Sequence, residues 1–194
     1  NHIAGFVVST GSGSLLLRHS VAHDNAAYGG NGLVLVYIDR EVNVEISNNL
    51  FYDIRESENM FYTIELMATE NAWVYNNVFD ELLGYCAVMV GGDGVNFQNN
   101  IVTKGVGHTL CQGAEGMGEV TYNLIDDYDS DFSFEIDATN IDGDPAFNDP
   151  GAVDYTLDPG FSIAVDAGNP LSGYNDPDGT RNDLGAYGGP YGSW

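Results

Sequence analysis

The chain has 194 residues, of which 29 are Asp or Glu and only 5 are Lys or Arg, a formal charge of −24. So acidic a surface repels nucleic acid and anionic membrane, and neither is expected as a partner. Gly is abundant at 25, no segment keeps a helical period, and no stretch is long and apolar enough to span a membrane. What remains is one turn-rich domain suited to cations, high salt or a secreted setting near divalent metal.

In chain order, residues 1–14 form a lead-in with a strand expected over 3–9 (IAGFVVS) and a Gly-Ser turn over 10–14. A start at Asn1, in mid-strand and without Met, reads as a processed or excised piece of a larger protein. From residue 15 a unit recurs five times: LLLRHSVA (15–22), VEISNNLF (44–51), AWVYNNVF (72–79), VNFQNNIV (95–102) and GEVTYNLI (118–125). Aligned on the second Asn, the units place Ser20, Asn49, Asn77, Asn100 and Asn123 in one column, at spacings of 29, 28, 23 and 23 residues. Fixed self-similarity at that period is the mark of a stacked-repeat fold.

The columns define the repeat. Leu17, Ile46, Val74, Phe97 and Val120 alternate with Leu16, Glu45, Trp73, Asn96 and Glu119, so each unit opens with a strand buried on one face. The Asn pair suits a sharp bend, since Asn tolerates left-handed backbone, and stacked amides bond from rung to rung. Val21, Leu50, Val78, Ile101 and Leu124 then begin a second apolar column. A rung of about 23 residues holds about three strands of ~5 residues. The expectation is an all-β fold, a right-handed single-stranded parallel β-helix of about five rungs, over residues 1–125. The loops at 24–31 and 55–59 account for the two longer spacings.

Residues 126–194 are different material, with Asp in nearly every turn, every Pro of the chain and one base, Arg181. A repeat stack needs its open end covered, so this irregular Asp/Gly/Pro-rich segment is expected to be a C-terminal cap packed on the same domain. Cys86 and Cys111 fall in consecutive rungs, and adjacent strands ~4.8 Å apart are within disulfide reach. Their offsets from the Asn pair differ by two, so a bridge and two buried thiols both stay open.

Four groups carry candidate chemistry. Asp24, Asp53, Glu81, Lys104 and Asp127 share a column four residues past the second Asn, beside His23, Tyr52, Asp80, Thr103 and Asp126. Stacked carboxylates repel unless a cation or shared proton relieves them, and hard oxygens suit Ca²⁺; residues after a bend that simply face solvent would read the same. Asp53 and Glu81 would also serve as a glycosidase pair if their carboxyls lay ~6.5–9.5 Å apart. On the outward face of the first strands, Trp73 and Tyr75 with Glu45, Asn96, Gln98 and Arg18 form a sugar-binding platform, or an aromatic pair covered by other chain. In the tail, Asp176, Asp178, the Thr180 carbonyl and Asp183 resemble a short calcium loop without the bidentate Glu of an EF-hand, though Asp and Gly also make turns unaided. His2, His19, His23 and His108 lack the spacing of a transition-metal site, and His19 occupies an Asn column.

The runs DGDPAF (142–147), DPG (149–151), DYTL (154–157), PGFSIAVDAG (159–168) and DPDGTRNDLGAY (176–187) resemble the C-terminal part of secreted bacterial right-handed parallel β-helix proteins of the pectate-lyase-like superfamily. Members usually carry Ser-Pro-Ala where Ser162-Ile163-Ala164 stands here, and an acid where Gly188 follows Tyr187. The resemblance implies a secreted or cell-surface protein. It also implies, by analogy with superfamily lyases, Lys104 as the base of an uronate elimination, with Arg55 second. Because that superfamily mixes lyases, hydrolases and adhesins, fold does not settle activity. The leading expectation is a calcium-stabilised extracellular scaffold or polysaccharide-binding surface without catalysis. The alternative is a polysaccharide lyase or, less favoured, a glycoside hydrolase.

Overall fold

The computed structural model describes residues 6–7, 13–27, 34–38, 43–56, 62–66, 71–90, 94–104, 106–112, 118–126 and 137–193. These residues are all-β, with two short 3₁₀ turns in the tail. The repeats supply β1 (Phe6–Val7), β2 (Ser14–Arg18), β3 (Val21–Ala27), β4 (Val34–Ile38), β5 (Asn43–Ser47), β6 (Leu50–Glu56), β7 (Tyr62–Leu66), β8 (Asn71–Tyr75) and β9 (Val78–Val90). They continue with β10 (Val95–Gln98), β11 (Ile101–Thr103), β12 (Val106–Gln112), β13 (Val120–Thr121) and β14 (Leu124–Ile125), and the tail adds β15 (Phe147–Asp149) and β16 (Asp154–Leu157).

Strands of successive repeats pair in parallel. The strands that precede the Asn pair form a five-stranded sheet in the order β13-β10-β8-β5-β2, and those that follow it form a nine-stranded parallel sheet. Leu17, Ile46, Val74, Phe97 and Val120 are consecutive register partners in the first sheet. Ile46, Val74 and Phe97 are fully buried and pack with Phe51, Phe79 and Val102 of the second sheet in one continuous core. The period-two pattern therefore puts one wall inside, as expected. Stacked rings of Phe51 and Phe79, 5.1 Å apart, continue to Phe97 at 6.1 Å.

The two Asn of each pair do separate work. The first holds the left-handed bend, with φ near 53° at His19 and Asn48, 51° at Asn76, 57° at Asn99 and 54° at Tyr122. The second builds a ladder: the backbone N–H and Nδ2 of Asn49, Asn77, Asn100 and Asn123 each donate to Oδ1 of the next Asn at 2.9–3.1 Å. Asn140 is the last acceptor, a rung-like position only 17 residues on. Each bond is worth ~1 kcal/mol net, but a buried donor left without a partner costs ~1–3 kcal/mol, so the ladder enforces register.

The tail departs from a simple cap. Ile141 bridges Leu124 and the antiparallel β15–β16 pair follows, but the chain then turns back along the stack. Asn169 N–H donates to Asn99 Oδ1 at 2.8 Å, Asn76 Nδ2 donates to Asn182 Oδ1 at 3.0 Å, and Asn48 Nδ2 donates to the Gly188 carbonyl at 2.8 Å. His19 Nε2 meets the Tyr191 carbonyl at 2.9 Å. The tail thus runs from the fourth repeat to the first over the left-handed Asn column. Beneath it, Leu50, Val78, Ile101 and Leu124 pack on Tyr155, Ala164, Leu184 and Ala186 as a second apolar cluster. Gly185 shows how close the approach is: its φ is 85°, and a Cβ there would lie 2.8 Å from Ile101 Cδ1.

Backbone register also bears on the cysteines. Cys86 pairs with His108 and Cys111 with Met89, so the two positions are offset by three residues along the ladder. That is about 10 Å of strand, beyond the ~7 Å limit for a bridge without backbone movement. The cysteine and His108 side chains, like that of Arg55, lie outside the described residues, as do His2, Asp127 and residues 28–33 and 57–61; residues 24–27 and 55–56, expected in loops, continue β3 and β6.

Candidate functional site

The outer face of the five-stranded sheet carries the platform residues together. Strand alternation that sends Ile46 and Val74 inward sends Glu45 and Trp73 outward. Register then aligns Leu16, Glu45, Trp73 and Asn96 in one row, with Arg18, Ser47, Tyr75 and Gln98 beside it. Leu16 and Trp73 are 59% and 38% exposed on either side of Glu45.

Glu45 is held tightly. Its Oε1 accepts from Tyr75 Oη at 2.7 Å, from Ser47 Oγ at 3.3 Å and from Arg18 Nη2. Burial opposes its ionisation, but the Tyr75 and Arg18 hydrogen bonds outweigh that and keep the carboxyl below its ordinary value. Tyr75 is pushed up to about 12 by burial and by its bond to Glu45. Arg18 also donates from Nε to Ser47 Oγ at 3.1 Å, and its guanidinium lies 3.5 Å from the ring centre of Tyr191. The tail therefore walls one side of the platform. Tyr75, expected as a sugar contact, acts as a prop for Glu45; Trp73 and Asn96 remain on the surface row. Asn96 Nδ2 donates weakly to the Gly94 carbonyl at 3.4 Å.

The second candidate column lies on a second left-handed bend. Asp24, Asp53, Glu81 and Lys104 have φ of 51°, 49°, 51° and 49°. Lys104, half exposed, sits 3.8 Å from both Asp80 Oδ1 and Glu81 Oε1. Asp53 stands one repeat from Glu81, between the register pairs Tyr52–Asp80 and Ile54–Leu82. Asp24 is engaged by His23 at 2.8 Å, and the His23 ring stacks on Tyr52. Asp80 is buried, accepting from Thr103 Oγ1 at 2.6 Å and from Tyr155 Oη at 3.0 Å. Burial and the Asp80 charge drive the Tyr155 hydroxyl far above its ordinary value, so it donates and does not ionise. A cleft of about 280 Å³ opens beside Lys104 and Thr103, lined by Asp126, Asp144, Phe147 and Pro150. Chemically this flank holds one ammonium among carboxylates, and it fastens the tail hairpin.

In the loop at 176–183, backbone amides take up the proposed ligands. Asp176 accepts from Gly189 N–H at 2.5 Å and from Asp183 N–H at 3.0 Å, while Asp178 Oδ1 accepts from Thr180 N–H at 2.9 Å. The Thr180 carbonyl accepts from Asp176 N–H at 3.1 Å and Asp183 Oδ1 from Asp166 N–H at 2.7 Å. Burial pushes Asp176 up to about 6 despite those amides, and the Asp183 charge adds to it. The oxygen donors have the chemistry calcium requires and spare lone pairs. Among the described residues, however, no three His, Cys, Asp or Glu side chains are grouped to hold a metal.

No protein-family model matches this chain, and neither a curated protein nor a solved structure matches it. Sequence reasoning missed the roles of Asn140, Tyr155 and Tyr191. Asn140-Ile141 repeats Asn123-Leu124 and was findable from that dipeptide; Tyr155 and Tyr191 act through the tail's return path, which no periodicity marks.

Proposed function

We propose that this chain is a right-handed parallel β-helix domain, secreted or displayed at a cell surface, that binds polysaccharide on its five-stranded sheet without catalysing a reaction. Supporting the helix are the in-register parallel ladders and the strong right-handed preference of parallel crossovers. Extracellular placement rests on the acidic composition and on the tail's resemblance to pectate-lyase-like proteins. One observation carries the binding reading: an exposed Trp73 and Leu16 flank a propped carboxylate, Glu45, with an amide, Asn96, next in the row. Aromatic faces with adjacent hydroxyl acceptors are what sugar rings contact. Glycan-array binding without turnover, lost in Trp73→Ala, is the expected result; an array with no bound glycan would overturn it.

Elimination of uronate at Lys104 is the rival, supported by the cleft beside that ammonium. Its test is incubation with pectate and alginate, read as ultraviolet absorbance of an unsaturated uronate that disappears in Lys104→Ala. Calcium stabilisation through Asp176, Asp178, Thr180 and Asp183 is proposed on donor chemistry and on the burial and neighbouring acids that oppose ionisation of Asp176. A melting point unchanged by EDTA would reject it.

A further inference from the structure

We propose that the row Leu16–Glu45–Trp73–Asn96 selects an uncharged, extended polysaccharide lying along the stack of repeats, one sugar residue per repeat, and turns away polyuronates. This rests on the binding reading above and sharpens it. Three observations carry it. The first is the charge balance on the sheet. Arg18 is committed to Glu45, Ser47 and the Tyr191 ring, while Glu45 and Glu119 bring two negative charges to the same face. Of the other bases whose side chains are described, Lys104 is set among Asp80 and Glu81, and Arg181 donates to the carbonyls of Gly168 and Ala167. A polyanion would find the one cation of this face already paired with Glu45 and a net negative charge left by Glu119, against the repulsion of a −24 chain.

The second is the hydrogen-bond capacity left over. The three donors to Glu45 converge on Oε1. Oε2 is therefore an ionised acceptor for a sugar hydroxyl, a donor that a neutral sugar supplies. The amides of Asn43 and Asn71, exposed two residues before Glu45 and Trp73 on the same face, meet each other only at 3.5 Å and add further partners for hydroxyls.

The third is spacing. The pairing of β2, β5, β8 and β10 runs without a bulge, so the row is straight and its members advance by ~4.8 Å per repeat. That step is close to the length of one residue in an extended, equatorially linked glycan. Such a chain would lie across the strands, its ring faces on Trp73 and Leu16 and its edge hydroxyls at Glu45 and Asn96.

The experiment is isothermal titration of the whole chain with neutral oligosaccharides of rising length (cello-, manno- and xylo-series) and with oligogalacturonates and oligoalginates of matched length. We expect neutral binding that tightens with each added sugar up to four and then levels, uronates at least roughly tenfold weaker, and a loss of roughly tenfold in Trp73→Ala. Glu45→Gln should move the two classes in opposite directions, weakening neutral sugars and helping uronates; circular dichroism and melting verify that each variant is folded, with Leu16→Ala as a second, less intrusive variant. Uronates that bind as tightly as neutral sugars, and are lost in Trp73→Ala, would overturn the neutral preference and leave the binding surface standing. Affinity that stops growing after one sugar would overturn the lengthwise placement. Binding of neither class would overturn both.

Discussion

Two columns of residues in this protein solve the same backbone problem with opposite chemistry. Asn48, Asn76 and Asn99 bend each repeat at φ between 51° and 57°; five residues later Asp53, Glu81 and Lys104 bend it again at 49° to 51°. The first column is buried, while Glu81 and Lys104 in the second are exposed. Left-handed angles cost a residue with a Cβ ~1–2 kcal/mol, less for Asn, and the two bends ask for the same backbone geometry. What differs is the covering. The tail needs donors and acceptors beneath it, and a short amide supplies both; at the second bend, the long side chains of Glu81 and Lys104 stay exposed, and Lys104 lies 3.8 Å from both Glu81 and Asp80. Identical φ with unlike residues marks where the tail lies.

The largest test of that contrast is Asn76→Gly. Glycine removes the strain, but Asn76 Nδ2 donates to Asn182 Oδ1, the Asp183 carbonyl and the Gly185 carbonyl, and its Oδ1 accepts from Asn182 Nδ2. Losing these in a buried seam should cost roughly 3 kcal/mol net of the relief, measured by denaturant unfolding. Proteolysis should then cut within 164–193 before the repeats. Tyr155→Phe comes next. It strips one donor from buried Asp80 and should cost about 2 kcal/mol, leaving Thr103 as the remaining hydroxyl on that carboxylate.

How much of this was legible follows from the same contrast. The interior wall and the amide ladder repeat, so Ile46, Val74 and Phe97, and Asn49, Asn77 and Asn100, announce themselves by alignment. The outward apolar column is also visible in the sequence. Leu50-Phe51, Val78-Phe79, Ile101-Val102 and Leu124-Ile125 are adjacent apolar pairs, which in a parallel sheet mean burial on both faces and hence a cover. What covers them was not readable, because the tail docks by single contacts between residues as far apart as Asn48 and Gly188, 140 positions, with no period. The platform was legible as a set of outward residues. That Tyr75 would be spent on Glu45, and that Tyr191 would return to Arg18, depends on that docking path.

A smaller effect lies in pH. Asp176 is raised from its ordinary value to about 6 by burial in the tail seam, and Asp183 moves the same way. A carboxyl that binds its proton more tightly when folded adds stability as the proton goes on. Melting temperature in EDTA should therefore rise as pH falls from about 6 to about 4, the interval between the folded and unfolded values. Asp137, Asp154 and Asp178 are lowered by their Thr side-chain and backbone bonds. Their contribution is lost only below about pH 4, with the opposite sign. Asp176→Asn should flatten the rise between 6 and 4. A bound cation would flatten it in the unsubstituted protein, so calcium added against EDTA separates the metal-stabilised loop from one held by amides alone.

The smallest expected change is at the bare bend. In Glu81→Gly the left-handed backbone is relieved, but glycine adds freedom to the unfolded chain, a penalty of ~0.5–1 kcal/mol that cancels much of the relief. The one ion pair lost, Glu81 to Lys104 at 3.8 Å, joins two half-exposed groups. Such pairs contribute ~0–1 kcal/mol. The terms offset, and stability should stay within about 0.5 kcal/mol of the parent, against roughly 3 kcal/mol for the same substitution at Asn76. Equal losses at both sites would mean the second bend is covered as the first is. The Lys104 cleft would then be an interior seam and no longer a surface open to a ligand.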